Sequence, residues 1–463
     1  MKDFAKKILD EVSLKKGDFV DIRFQSSEAI RMQIRNGVTQ EVTSTRLNGI
    51  AARALVGGAW GFATTAELSK ESLKKILNSA VGMARVASEK VKETRKIDEK
   101  FSTIGEAKIK FDLDPKDVSL EEKMKLTQEF EKNTRNVDER IASSQASYLE
   151  NIDKETIVSS NGTDVSTELG VFRLSVNAVG REGNLQQTVS DNIASSLGVK
   201  EIMKYNVTAK GTETGQKAIQ LLSAAKPLSG KMNLVMDPSL VGVFIHEAFG
   251  HACEADGIIT KNSILHDKFN KKVGVDEISI TDDPTIPGLR GSFAYDSEGT
   301  KTKVRKLVSK GILTEFFHTL ETATMMDQEP NGAGRAMDFR NPPIARMGNT
   351  YVEAGDKTQE ELFELIDNGM FLELSYGGYV NPAKGQFQFS AQNGYIIEKG
   401  EKKEITQNVS MSGMIMEVLE NTIGVGKDQE PAFNGTCGKN GQWVPVTGGG
   451  PSLAVKDLVV GGR

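Results

Sequence analysis

The sequence predicts an α+β protein: a mixed α+β domain over residues 1–228, then a mostly antiparallel, barrel-like β domain over 229–463 wrapped around one buried helix. Three observations carry this reading. The first half alternates strand-like runs, joined at Asn-Gly turns, with long amphipathic patterns. The second half is a series of short β-forming runs cut by glycine and proline. Between them lies one apolar stretch with helical spacing, DPSLVGVFIHEAFGHACEAD. With 463 residues, 38% of them hydrophobic, the chain is long enough for two or three sizeable cores.

From the N-terminus, MKDFAKKILDEV reads as an amphipathic helix, because charges interrupt it before the apolar run of a signal peptide could form. Residues 19–24, 29–35, 38–44 and 49–55 read as strands, with Asn36-Gly37 as a tight hairpin turn. Residues 69–91 predict a long helix with Leu73, Ile76, Leu77, Ala80 and Met83 facing inward. The charged run 90–100 follows as a solvated helix end or linker, and 120–137 as a helix with an exposed Glu/Lys face. Residues 156–160, Asn161-Gly162 and 165–179 repeat the order strand, Asn-Gly turn, strand, as in a duplicated hairpin unit. Helices are expected at 196–208 and 215–225, and AKPLSG (225–230) has a linker's composition.

The next segment concentrates the chemistry. Residues 232–236 read as a buried strand, Asp237 as a helix cap and Pro238 as the first helical residue. Leu240, Val241, Phe244, Ile245, Ala248 and Phe249 then keep helical spacing as far as Gly257, which places His246, Glu247 and His251 on one buried helix. These are two of only four histidines, in the pattern H-E-x-x-x-H. Histidines five apart on a regular helix diverge by about 140°, so sharing a metal requires a π-bulge through 248–250, which glycine at 250 makes easy. A catalytic zinc needs a third protein ligand. Glu254, three residues beyond His251, is one candidate, and Cys437 in the glycine-flanked GTCGKNGQ loop is the other. Cys253 lies roughly 10 Å along the axis from His246 and reads as a small core residue.

In the second half, 278–281, 303–309, 311–320, 395–398 and 409–420 read as strands, with a helix at 359–368. His266 and His318 read as structural. Asp282, Asp283 and Asp296 lack EF-hand spacing and read as turn caps. Arg335, Arg340 and Arg346 either anchor a substrate carboxylate or backbone, or serve as ion-pair partners.

HEAFGHACEADG, with the later GTCGKNGQWVPVTGGGPSLAVKDLVVGG, resembles the TldD type of the TldD/PmbA family of metal-dependent peptidases, and DDPTIPGLRGSFAYDSEG and NPPIARMGNTYVEAG are similar to further family segments. The resemblance covers most of 230–463. It implies that His246, His251 and Cys437 bind one zinc ion and that Glu247 is the general base, which favours Cys437 over Glu254 as third ligand. It also implies a peptidase acting on unfolded or extended peptides inside a dimer cavity, as a homodimer or as a heterodimer with a PmbA-type paralogue lacking the metal motif. It identifies no substrate-binding residue. The older gyrase-modulator label of relatives implies the rival reading, a non-catalytic regulatory protein stabilised by metal, and a small-molecule amidase is a third.

Composition narrows the partners. A net charge of −5 gives no electrostatic reason to expect nucleic-acid binding. No stretch has the roughly 18 apolar residues of a membrane helix. Two cysteines form no disulfide framework, which favours a cytoplasmic location.

Overall fold

The computed structural model describes residues 1–91 and 95–462, so part of the charged run 90–100 lies outside the described residues. The N-terminal half is built on one sheet. Phe19–Arg35 and Val38–Val56 form a long hairpin whose turn, Asn36-Gly37, takes positive φ values of 49° and 75°. The strands read separately at 19–24 and 29–35 are one continuous strand. A second hairpin, Ile141–Ser159 with Asp164–Glu182, lies beside it through antiparallel pairing of Phe19–Arg35 with Ile141–Ser159. Ala59–Thr65, Ile104–Ala107 and Leu185–Ser195 complete the sheet.

Helices cover it. Lys70–Ser88 starts where the Ser69 hydroxyl accepts from the Ser72 amide at 3.1 Å, and buries Leu73, Ile76, Leu77 and Ala80 as expected. Met83 is 45% exposed; Val81 and Ala84 face the core in its place, because the sheet sits nearer that side of the helix. Leu120–Arg135 begins with a reciprocal capping box between Ser119 and Glu122. Helical residues at 196–225 fall into Val199–Met203 and Val207–Gln220.

In the C-terminal half, five strands close into a barrel. Gly369–Asn381 pairs with Gly230–Met236, which pairs with Leu453–Gly462, then Val409–Met414, then Gln386–Glu398, which returns to Gly369–Asn381. Most pairings are antiparallel; Gly230–Met236 with Gly369–Asn381 is parallel. A second sheet carries Ile280–Asp282, Asn349–Val352, Gln442–Gly450 and, at its edge, Glu430–Lys439. Two expected strands fail in part. Residues 415–420 are helical because Ile415, Val418 and Leu419 bury one helical face, and 311–320 is mainly irregular, with Leu320 opening a short helix.

The expected buried helix is at the centre. Leu240, Val241, Phe244, Ile245, Ala248 and Phe249 are all fully buried in one cluster, and the Phe244 ring packs edge-on against Phe387 and Phe389 of the barrel at 5.3 and 6.5 Å. Gly242 lets the helix touch the strand Gln442–Gly450, since a Cβ there would stand 2.8 Å from backbone atoms of Gly448 and Gly449.

Candidate metal centre

Asp237 starts the helix, its Oδ1 accepting from the Leu240 amide at 2.8 Å, while its Oδ2 accepts from Leu374 at 3.0 Å and so ties the helix start to the barrel. The α-helix Pro238–Val243 then widens into a π-helix over Phe244–Gly250, and the His251 amide donates to the carbonyl of His246, five residues back. The extra residue is absorbed where the five-residue histidine spacing requires it. Gly250 has an ordinary right-handed conformation, φ −58°, so backbone freedom is not its reason; a Cβ there would lie 2.1 Å from the Met347 sulfur. The helix also ends earlier than its spacing suggests. His251–Cys253 is a 3₁₀ turn and Glu254 is extended.

The widened turn brings the two imidazoles to 5.4 Å between ring centroids. Cys437 reaches them from the second sheet. Its segment is a strand, Glu430–Lys439, rather than the expected loop, and its Sγ lies 3.5 Å from His251 Nε2. One ligand atom from each of His246, His251 and Cys437 falls within 4.8 Å of the others. Among the described residues, neither nitrogen of the buried His246 ring has a hydrogen-bond partner, an arrangement that burial penalises unless a further group binds there. Two imidazoles and a thiol converging around such orphaned nitrogens suit a zinc ion.

Glu254 is close by, but on the other side of His251. Its Oε2 is 3.0 Å from Nδ1, which leaves Nε2 to face Cys437. It therefore orients the ring, as acidic partners of metal-binding histidines do. Lys439 Nζ approaches Glu254 Oε2 at 3.0 Å and Asp256 Oδ2 at 2.7 Å. Burial works against Glu254 ionising, but the charges of His251 and Lys439 prevail and hold its carboxyl at about 2. Burial also opposes ionisation of Cys437, yet the neighbouring charges of His246 and His251 lower its thiol to about 5. Arg346 donates to the Cys437 carbonyl and fixes that part of the strand.

Lys439 and Asp256 were not legible as parts of this site, and Arg346, expected as a substrate anchor or an ion-pair partner, instead holds the Cys437 carbonyl. Lys439 stands two residues after Cys437 and so shares its strand face, a signal available only when GTCGK is read as a strand. Glu247 is 29% exposed, with Oε2 3.7 Å from His251 Nε2. It lines an open cleft of about 640 Å³ with His251, Glu254, Asp256, Tyr379 and Lys439. Gly378 and Tyr379 also border an adjoining cavity of about 570 Å³ lined by uncharged polar groups, among them Gln186, Thr188 and Gln388.

The remaining candidates lie elsewhere. Cys253 is fully buried in the core, where burial pushes its thiol up. His266 Nδ1 meets the Ser263 carbonyl, and His318 is buried and pushed down to about 4. Asp283 and Asp296 cap turns as expected, whereas Asp282 forms a fully buried ion pair with Arg305 at 2.6 Å. Arg340 pairs with Asp338, and Arg335 and Arg346 are occupied by backbone carbonyls.

Family models for PmbA/TldA metallopeptidases match all three regions of the chain: domain 1 over residues 20–84, the central domain over 113–222 and the C-terminal domain over 229–462. The chain belongs to the PmbA/TldD family. Within it, a metalloprotease of Methanocaldococcus jannaschii is 37% identical over 447 residues, 95% of this chain and 96% of the relative. A protein of Saccharolobus solfataricus named a zinc metalloprotease TldD homolog is 30% identical, with 96% of each chain covered. Among solved structures, TldE from Thermococcus kodakarensis superposes with a TM-score of 0.77 at 20% identity over the whole of both chains, which is a likeness of fold. A Thermotoga maritima protein described as a candidate DNA gyrase modulator gives a TM-score of 0.77 at 23% identity, covering 99% of this chain and all of that one.

Proposed function

We propose that this PmbA/TldD-family protein is a zinc-dependent peptidase that hydrolyses unfolded or extended peptides. The observation that carries the reading is the convergence of His246, His251 and Cys437 beside an exposed carboxylate in an open cleft. The metalloprotease names of relatives support it. His246, His251 and Cys437 would hold one zinc ion, which when bound supplies an acidified water and polarises the scissile carbonyl.

The chain's own groups do the rest. Glu247, next to His246 in sequence but free to face the cleft, takes the proton of the attacking water and delivers it to the departing amine. Glu254 and Lys439 keep His251 in the tautomer that turns Nε2 toward the site. The strand Gly369–Asn381 pairs with Gly230–Met236 only over Gly369–Leu372, and its later residues Gly378–Val380 border the cleft. That leaves a strand edge beside Glu247 that suits an extended peptide backbone. A thiolate ligand makes zinc a weaker Lewis acid, in keeping with a selective enzyme rather than a general protease.

The active form we propose is a homodimer, or a heterodimer with a metal-free PmbA-type paralogue, in the cytoplasm. Both cysteines are free thiols, and no helix among the described residues is long and apolar enough to cross a membrane. The deciding experiment is zinc analysis of wild type and Glu247→Ala, followed by mass spectrometry of unstructured peptides incubated with each. Zinc retained in both with cleavage by wild type alone is the expected outcome. Zinc retained with no cleavage by either, tested alone and with the paralogue, would make the metal structural and favour the regulatory reading.

A further inference from the structure

The cavity of about 570 Å³ beside the metal cleft has walls from both halves of the chain. One is the strand Leu185–Ser195, which among the described residues pairs only with Asp164–Glu182 and presents Gln186 and Thr188. The other is the outer face of the barrel. There Tyr379 pairs with Gln388 and Gly377 with Ser390, whereas Phe387 and Phe389 of the same strand turn inward to the Phe244 ring. Gln392 joins the two walls: its Oε1 accepts from the Ser190 amide at 3.0 Å and its Nε2 donates to the Ser190 carbonyl at 3.3 Å.

The lining is uniform in its chemistry. Among the described residues it contains no charged side chain, and the side chains of Gln186, Thr188, Gln388, Ser390 and Asn408 make no hydrogen bond with the protein. Amides and hydroxyls each donate and accept, so the cavity offers both kinds of partner and has committed neither. It meets the metal cleft along the strand Gly369–Asn381, where Gly378 and the 68% exposed Tyr379 border both spaces. The pairing of that strand with Gly230–Met236 ends at Leu372, which leaves the edge beyond it open to a peptide. An extended peptide turns successive side chains to opposite faces of the sheet, alternate ones roughly 7 Å apart. One set then lies on the side of Val380, in the metal cleft, and the other on the side of Gly377 and Tyr379, over the polar cavity.

We propose that this cavity is a specificity subsite for uncharged polar side chains of the peptide, flanking the bond held at the metal cleft. The proposal rests on the peptidase reading and adds the feature that the enzyme selects. A bound peptide covers the cavity. A lysine or glutamate side chain there gives up water with no counter-charge to meet it, and a leucine covers five polar groups without replacing the water they lose. A serine, threonine, asparagine or glutamine meets donors and acceptors alike.

The test uses the full-length zinc-loaded protein carrying Glu247→Gln, so that bound peptide is not consumed. Fluorescence anisotropy compares four unstructured peptides in which alanine alternates with glutamine, lysine, glutamate or leucine. The expected result is binding about ten-fold tighter for the glutamine peptide than for each of the others. Gln388 is exposed, so its substitution leaves the core intact, and each variant is checked for zinc content and melting temperature. Gln388→Lys should move the preference to the glutamate peptide and Gln388→Glu to the lysine peptide. Gln40→Lys, which puts the same charge on the exposed tip of the N-terminal hairpin, should leave the order as it was. Equal binding of the four peptides overturns the proposal, as does an order that survives both changes at Gln388. A shift of the same size in Gln40→Lys would make overall charge the cause, and the proposal also fails. Selective binding of the glutamine peptide that follows Gln388, in a protein whose wild type cleaves none of the four, would sink the peptidase reading while leaving this subsite standing.

Discussion

At the scale of single residues, the candidate metal centre is supported by groups that stand outside the His246, His251 and Cys437 cluster. Glu254 holds His251 through Nδ1, and Lys439 holds Glu254. Glu254→Gln keeps the shape but loses the charge, and should weaken zinc binding about 10–100-fold in chelator competition. If affinity is unchanged, Glu254 does not orient the ring. Cys437 gives a pH prediction. In the metal-free protein its thiol is depressed from 9.0 to about 5, so the stability it contributes is full above the unfolded value and is lost as pH falls through about 5. The ultraviolet absorbance of its thiolate, taken as a difference from Cys437→Ser, should titrate near the lower value. A midpoint near the usual thiol value would contradict the charge arrangement described here.

At the scale of elements, the π-helix lies between two glycines with different neighbours. A Cβ on Gly250 meets the sulfur of Met347, the end of a flexible side chain, whereas a Cβ on Gly242 meets the backbone of Gly448 and Gly449. Both alanine substitutions should destabilise by about 1–3 kcal/mol through overpacking. Met347→Ala should recover most of the loss in Gly250→Ala, and there is no side chain whose truncation can relieve Gly242→Ala. Urea denaturation of the single and double variants checks this, and failure of Met347→Ala to rescue would mean that the π turn itself requires glycine.

At the scale of the whole molecule, the two halves meet through buried polar groups. Gln25 of the N-terminal hairpin donates to Asp153 at 2.8 Å and accepts from the amide of Phe339 in the C-terminal half at 2.5 Å. Arg23 donates to the carbonyls of Asp338 and Asn341. Burial, reinforced by the charge of Glu155, raises the Asp153 carboxyl from 3.8 to about 7. A carboxyl with a raised folded value favours the folded state while protonated, so its contribution is present below the unfolded value and is lost as pH rises through about 7. Asp153→Asn should therefore remove part of the stability loss between about pH 4 and pH 7 in urea titrations. The variant and wild type losing stability in parallel across that range would show that Asp153 is not the group responsible.

The sequence by itself determined the class of fold, the Asn36-Gly37 hairpin, the buried helix and the need for a widened turn between His246 and His251. Each of these follows from local periodicity or spacing, which a linear chain displays directly. It also brought forward both candidates for the third ligand, though a family resemblance was needed to favour Cys437. Where these groups come to lie is decided by packing at long range. Glu254 lies on the Nδ1 side of His251 because the helix ends in a 3₁₀ turn; Cys437 arrives on an edge strand of a separate sheet; Lys439 joins Glu254 across 185 positions of chain. Local pattern reports which way a side chain faces along its own element, and only the tertiary structure decides what it meets there.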